Sequence, residues 1–219
     1  MAKPPIGYND PTIGGLVGWW TMNEGTGTTT ADLSGNGSTG SLINSPAWTN
    51  GVVGSGLYFN GINQFISIPT NSVFTIVTNL TVSSWCNWFG GSSENCIVDR
   101  ANGYATTILG SSSGNIKIYF QASGSWTTSI AAPQNKWINI SWTLTASSLN
   151  LYTNGILAAS TTPTGGSLTI SNNVSGIGSV GAGTMWYFNG FIDDVRIYNR
   201  ALSSDEILKL YNGGYGSQK

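Results

Sequence analysis

The sequence predicts an all-β fold, an antiparallel sandwich that is followed by one short helix. Of the 219 residues, 104 are Gly, Ser, Thr or Asn and only 8% are charged, a composition that suits turns and short strands. Runs of β-branched and aromatic residues are separated by Asn-Gly, Ser-Gly and Gly-Gly, as in sandwiches. Hydrophobic residues make up 40% of the chain, which is enough to bury a core.

Nine segments carry the strand pattern, and alternation is clearest in 137–144, where Ile138, Ile140 and Trp142 share one face and Asn139 and Ser141 the other. In chain order the segments are 16–22, 56–59, 65–68, 80–88, 97–99, 116–121, 137–144, 149–152 and 188–198. Four tryptophans inside such segments are predicted to be packed, namely Trp19, Trp85, Trp137 and Trp142.

Two local signals define a hairpin and the helix. Asn154-Gly155 predicts a type I′ turn, because both central positions of that turn need positive φ. Ser203 and Glu206 form a capping box and Leu202 and Ile207 a hydrophobic staple, which together predict a helix over 203–211. Because this helix is short, it must dock on the sandwich to be stable.

The chain divides into an extended N-terminal arm at 1–13, one domain at 14–212 and a flexible tail at 213–219. Pro4, Pro5 and Pro11 mark the arm, and Gly213-Gly214 stops the helix before the tail. Neither an apolar secretory segment nor a transmembrane stretch is present in the sequence. We therefore expect an extracellular or cell-surface location if a signal was removed, and a virion surface if the chain natively starts at Met1.

Composition excludes several functions. Without histidine the chain cannot form a Ser-His-Asp or Cys-His nucleophile or a His-ligated metal site. A net charge of −1 leaves no basic surface, so neither a nucleic-acid partner nor an anionic membrane is expected.

The order of motifs from 16 to 212 resembles the laminin-G-like jelly rolls of the concanavalin A-like lectin/glucanase superfamily. The matching motifs are LVGWWTMNEG at 16–25, ADLSGNGSTG at 31–40, GLYFNG at 56–61, FISIP at 65–69, LTVSSW at 80–85, WINISW at 137–142, LYTNG at 151–155 and FNGFIDDVRIYNRALS at 188–203. This resemblance implies a two-sheet antiparallel jelly-roll sandwich. It does not imply one activity, so the function has to be argued from the site.

Four acids lie where the resemblance implies a structural calcium ion, between the N-terminal loop and the last strand: Glu24, Asp32, Asp193 and Asp194. Calcium takes carboxylate and carbonyl oxygens. The resemblance implies Glu24 and Asp194 as side-chain ligands, with Asp32 or Asp193 as a substitute. In the alternative interpretation, Asp32 caps its own glycine turn and Asp193 or Asp194 pairs with Arg196 or Arg200.

A sugar platform is the second candidate site, because sugars stack their C–H faces on aromatic rings. The candidates are aromatic residues next to glycine and polar residues: Trp48, Trp88, Tyr104, Trp126, Trp186 and Tyr187, with Phe89 beside Trp88. A loop tryptophan also serves to plug the end of a sandwich, and that alternative stays open for each.

Cys86 and Cys96 lie ten residues apart around Gly90-Gly91, a spacing that is compatible with a disulfide in a hairpin and equally with two thiols. Catalysis is not expected, because glycosidases of the superfamily carry a Glu-x-Asp-x-x-Glu type motif that has no counterpart here.

Two hypotheses follow. The first is a non-catalytic adhesion module that binds carbohydrate or a cell-surface glycan by aromatic stacking. The alternative is a phage virion structural protein, a capsid decoration or tail component that contacts other virion proteins and forms a homo-oligomer.

Overall fold

The fold is given by a computed structural model, which describes residues 14–52, 54–76, 78–91, 93–100, 103–110, 113–120, 124–163, 175–181 and 183–213. The predicted arm at 1–13 and most of the predicted tail, 214–219, lie outside the described residues. In the described part the strands are β1 Leu16–Trp20, β2 Thr29–Thr30, β3 Gly40–Ile43, β4 Ala47–Asn50, β5 Ser55–Asn60, β6 Phe65–Ile68, β7 Leu80–Trp88, β8 Asn95–Arg100, β9 Tyr104–Ile108, β10 Asn115–Phe120, β11 Gly124–Ala131, β12 Trp137–Leu144, β13 Leu149–Thr153, β14 Ile156–Thr161, β15 Ser175–Ile177 and β16 Asn189–Tyr198. A 3-10 helix spans Ser72–Phe74 and helix α1 spans Ser204–Tyr211.

The strands form two antiparallel sheets. The first sheet has the order β14-β13-β12-β7-β16-β5-β4, with β1 also paired to β16. The second sheet has the order β11-β10-β9-β8-β15-β6-β3-β2. The predicted jelly-roll sandwich is thereby confirmed, and each of the nine predicted segments contains a strand.

The segment patterns did not predict several strands, among them β4 and β11, and β14 was predicted only as the strand that follows the Asn154-Gly155 turn. Their residues are mostly half-buried or exposed, because β4, β11 and β14 lie at sheet edges and pair on one side only. Such strands lack the alternating apolar face from which a strand is recognised.

The core lies between the two sheets. The residues that alternate inward in 137–144, such as Ile140 and Trp142, belong to one apolar cluster with residues of both sheets. The indole Nε1 of Trp142 donates a 2.7 Å hydrogen bond to Thr106 Oγ1 on β9 of the second sheet. This bond satisfies the one polar atom that a buried tryptophan carries and links the sheets.

Helix α1 covers part of the outer face of the first sheet. Ile207 and Leu210 pack with Tyr152 and Tyr198 in a second apolar cluster. The predicted capping box is present, since Ser203 Oγ accepts from the Glu206 N–H and the Glu206 carboxylate accepts from the Ser203 N–H. In the described residues no helix is long and apolar enough to cross a bilayer.

The predicted hairpin turn is also confirmed. Asn154 and Gly155 have φ values of 50° and 78°, as a type I′ turn requires, and they join β13 to β14.

Candidate functional site

Two of the six aromatic candidates lie in the core. Trp88 is 2% and Tyr104 3% exposed, and the rings of Tyr104 and Trp142 meet edge to face at a centroid distance of 5.3 Å. Both follow the inward phase of their strands, and burial raises the pKa of the Tyr104 hydroxyl. In this structure neither ring offers a face to a ligand.

Trp186 lies on the outer face of the second sheet, in the loop before β16. Its ring is half-buried and meets Tyr119 of β10 edge-on at 6.4 Å. Tyr119 points outward because its neighbours Ile118 and Phe120 point into the core. The two rings form one surface, which we call the Trp186 surface and which includes Lys117 and Glu94.

The backbone of Trp186 is left-handed, with φ of 55°, which is rare for a bulky residue. The Trp186 carbonyl accepts a 2.8 Å hydrogen bond from the Cys96 N–H on β8, which ties the loop to the sheet. Strain of this kind persists only where the surroundings impose it, and it concentrates at binding and catalytic sites.

The charges of the Trp186 surface compensate one another. Lys117 Nζ lies 2.8 Å from Glu94 Oε1 and 5.8 Å from the centre of the Trp186 ring. Glu94 Oε2 also accepts a 3.2 Å hydrogen bond from Thr107 Oγ1. The surface therefore presents an aromatic face beside a paired cation, and its described residues carry no unpaired charge.

Tyr187 supports the same loop from beneath. Its hydroxyl donates to the Gly183 carbonyl, and its ring packs against Phe65 at 6.5 Å. The Gly181 N–H of this loop donates to the buried carboxylate of Asp99 at 2.9 Å. Burial raises the pKa of Asp99 to about 6, although the Gly181 N–H and Arg100 both act in the opposite direction.

Trp126 lies apart from Trp186. It is opposite Ile118 in the register of β10 and β11, so its ring points to the inner side of the second sheet, away from Tyr119. It lines a cleft of about 180 Å³ at the edge of the sandwich, with Phe120, Ser125, Leu149, Thr161, Thr162 and Pro163.

Trp48 lies on β4, at the edge of the first sheet. Its ring is half-buried against the core, and its Nε1 donates a 2.9 Å hydrogen bond to the Gly27 carbonyl. Of the six candidates, the structure thus brings together only Trp186 and Tyr187.

The four acids bind protein donors. Asp32 accepts hydrogen bonds from the N–H groups of its own loop at Ser34 and Ser38, and Glu24 accepts from the Ala31 N–H at 2.9 Å. Asp193 Oδ2 accepts from the Val52 N–H at 3.0 Å.

Asp194 and Arg196 form a bidentate pair with N···O distances of 3.1 and 3.0 Å, and the Trp19 indole donates to the same carboxylate. Asp194 has φ of 50° and occupies a bulge of β16, which explains why it does not alternate with Asp193. Among the described residues no three acids or cysteines come together, and the calcium site stays a prediction.

Cys86 and Cys96 are free thiols, which is the second of the two alternatives. Cys86 faces the core from β7 in the first sheet, whereas Cys96 belongs to the second sheet and lies opposite Thr107. Burial raises the pKa of both thiols, which makes them unreactive at neutral pH.

Sequence analysis missed Tyr119, Lys117 and Glu94. The available signal was the outward phase of segment 116–121, in which Lys117 and Tyr119 alternate with buried residues. The contact of Lys117 and Tyr119 with a loop almost 70 positions further on could not be predicted from a local pattern.

Solved structures resemble the fold over nearly the whole chain. Domain 4 of AbnA, an extracellular arabinanase from Geobacillus stearothermophilus, was solved with arabinotriose; it has a TM-score of 0.74 at 19% identity, over 90% of this chain and 98% of that one. The binding domain of botulinum neurotoxin serotype G has a TM-score of 0.70 at 18% identity, over 90% of this chain and 50% of that one.

The binding domain of botulinum neurotoxin DC, in complex with SialylT, has a TM-score of 0.70 at 14% identity, over 92% of this chain and 52% of that one. The chain therefore spans about half the length of these toxin domains, and at such identities the likeness is one of fold. No curated protein matches the sequence.

A family model matches residues 59–208, which is more than half of the chain. It is the laminin-G-like model of the Concanavalin A-like lectin/glucanases superfamily, and it includes β7, β12 and β16 of the first sheet and β8 to β10 of the second. The chain therefore belongs to this laminin-G-like family of the Concanavalin A-like lectin/glucanases superfamily.

Proposed function

We propose that the protein is a non-catalytic carbohydrate-binding module that holds a neutral glycan on the Trp186 surface. The observation that carries the proposal is the pair of rings, Trp186 and Tyr119, held on an outer sheet face by a strained backbone. A half-exposed indole offers a flat apolar face for sugar C–H groups, and the Tyr119 hydroxyl offers a hydrogen-bonding group beside it.

The compensated charges favour a neutral ligand. An acidic glycan would need a free cation, and the one cation described at this surface, Lys117, is already paired with Glu94 at 2.8 Å. An acidic ligand that took Lys117 from Glu94 would leave the Glu94 carboxylate unpaired beside it. This fold holds arabinotriose in the AbnA domain and SialylT in a toxin binding domain, so the choice of a neutral ligand depends on the charge pairing.

The engagement of all three glutamates supports a non-catalytic role. Glycoside hydrolysis uses two carboxyl groups that face each other across the substrate. Glu24 binds the Ala31 N–H, Glu94 binds Lys117, and Glu206 binds Arg200 and the helix cap. Each of them is accounted for by a structural contact.

The test is a titration of neutral arabino-, xylo-, gluco- and manno-oligosaccharides by calorimetry, in parallel with sialyllactose. We expect neutral oligosaccharides to bind wild-type protein and W186A to weaken binding by roughly tenfold or more, because one stacking face is lost. W48A is the matched control, since Trp48 is also half-buried but lies at the edge of the other sheet.

Two outcomes would contradict the proposal. Unchanged binding by W186A, with loss in W126A, would move the site to the cleft beside Trp126. Preference for sialyllactose over every neutral sugar would contradict the charge argument.

A further inference from the structure

A second aromatic surface lies on the outer face of the first sheet. Its four rings come from separate segments: Tyr58 on β5, Phe89 directly after β7, Trp137 on β12 and Phe191 on β16. Phe191 is central, with ring centroids 4.9 Å from Phe89, 5.7 Å from Tyr58 and 6.0 Å from Trp137. All four rings are half-buried, so each keeps part of its face in solvent.

Strand register explains why these rings point outward. Trp137 and Phe191 both lie opposite Asn87 of β7, one on each side of it. Their neighbours Ile138 and Ile192 belong to the core, so Trp137 and Phe191 take the other face.

Helix α1 covers this face only as far as Trp85. Tyr211, the last residue of α1, stacks on Trp85 with a centroid distance of 5.4 Å. The next residue on the same face of β7 is Asn87, at which the aromatic surface begins.

Two amides are next to these rings, Asn87 in strand register with Trp137 and Phe191 and Gln134 beside Gly90, the residue after Phe89. Asn87 Oδ1 is shielded from solvent and accepts no hydrogen bond from the described residues. Gln134 is exposed and lies over Gly90, and a Cβ at Gly90 would meet Gln134 Nε2 at 2.8 Å. Apolar faces interleaved with uncharged amides complement a sugar, whose C–H faces alternate with hydroxyl groups.

The size of the surface favours a small ligand over a protein. A buried aromatic side chain covers at most about 250 Å², so four half-buried rings leave at most about 500 Å² in solvent. A stable protein partner, or a second copy of the chain, needs roughly 800 Å² on each side. The exposed rings match one or two sugar units.

We propose that Tyr58, Asn87, Phe89, Gln134, Trp137 and Phe191 form a second carbohydrate-binding surface, for a neutral glycan, on the sheet opposite the Trp186 surface. The module is then bivalent, because a sandwich with sites on its two outer faces can engage two chains of one polysaccharide. Bivalent attachment gives an avidity that exceeds either single affinity.

The experiment titrates arabino-, xylo-, gluco- and manno-oligosaccharides into wild type, W137A, W186A and the double variant, and then measures retention on the matching immobilised polysaccharides. We expect two sites in wild type, one in each single variant and none in the double variant. On the polysaccharide each single variant should lose roughly tenfold or more in apparent affinity. W48A again serves as the matched control.

Q134A keeps the test valid if W137A does not fold, because the Gln134 side chain is exposed and makes no hydrogen bond with the described residues. We expect Q134A to weaken one of the two sites several-fold and to leave the other unchanged. Tryptophan fluorescence and the thermal midpoint report whether each variant is folded.

The outcomes separate the two proposals. A single site that W186A removes and W137A leaves intact would overturn the second surface while the Trp186 surface stands. A single site that only W137A removes would support the second surface and overturn the first. A wild-type dimer that W137A or Q134A converts to monomer, with no effect on sugar binding, would identify a self-association face and overturn this inference.

Discussion

Asp99 is predicted to couple the Trp186 loop to pH. Its carboxylate holds the Gly181 N–H of that loop at 2.9 Å and is 5% exposed. Burial raises its pKa from 3.8 to about 6. The folded state therefore binds more protons than the unfolded state between these values. The contribution of Asp99 to stability is full below about pH 4 and is lost as the pH rises through 6.

We expect D99N to remove this pH dependence. An asparagine oxygen can still accept from the Gly181 N–H, but it cannot ionise. Between pH 4 and pH 7, wild-type protein should lose up to about 3 kcal/mol of unfolding free energy relative to D99N. Urea unfolding at the two pH values measures the difference, and D205N, which alters an exposed carboxylate, is the control. Parallel curves for wild type and D99N would contradict the assignment.

At the scale of single residues, Trp186 and Tyr187 stay predicted ligand contacts, whereas other aromatic candidates are buried. Trp88 and Tyr104 were candidates because glycine follows or precedes them, yet strand phase turns both into the core. Trp137 was predicted to be packed because it lies in a strand segment. It alternates with Ile138 and is on the same outer face as Asn139. The alternation of segment 137–144 already indicated this.

In the β13–β14 hairpin, one glycine serves both the turn and the contact with helix α1. Gly155 has φ of 78°, and a Cβ there would lie 3.0 Å from Tyr211 Cβ and 3.1 Å from Leu208 Cδ1 of α1. Glycine is therefore needed at this position for two reasons, one conformational and one steric.

We expect G155A to destabilise the protein by about 2–4 kcal/mol, the sum of about 1–2 for positive φ and about 1–2 for the contact with α1. G35A is the matched control, since Gly35 has φ of 89° with open space around it and should cost only the first part. Chemical unfolding of both variants gives the two values. Equal losses would show that α1 tolerates the methyl group.

At the scale of elements, alternation and capping predicted the long central strands and the helix. An edge strand such as β11 was not predicted, because its residues are mostly exposed or half-buried and lack an alternating apolar face. The polar face of β12 also differs from the expectation, because it is buried. Asn139 and Ser141 are buried, and they bond to Ser83 on the neighbouring strand. A local sequence pattern shows which face of a strand is polar. It does not show whether side chains of a neighbouring strand form hydrogen bonds with that face.

For the whole molecule, the calcium prediction can be tested directly. Because Asp32 and Asp194 are saturated by N–H and guanidinium donors, we expect the thermal midpoint to be the same in millimolar calcium and in chelator. Differential scanning calorimetry in both buffers measures this. A midpoint that rises with calcium concentration would show that Glu24 and its neighbours rearrange into the shell that the resemblance implied.

Where the molecule acts stays a prediction. The sequence led to two settings, an extracellular module and a virion surface component that contacts capsid or tail proteins, and both are compatible with glycan binding. Sedimentation of the full chain at high concentration separates a monomeric module from a homo-oligomeric component.

The pairing of Lys117 with Glu94 also bears on how fast a ligand arrives. A surface whose charges cancel within 2.8 Å projects almost no field beyond a Debye length, so it does not steer a ligand from a distance. Encounter is then governed by diffusion and orientation alone. If the Trp186 surface binds glycan as proposed, we expect the association rate to be the same in dilute buffer and in concentrated salt.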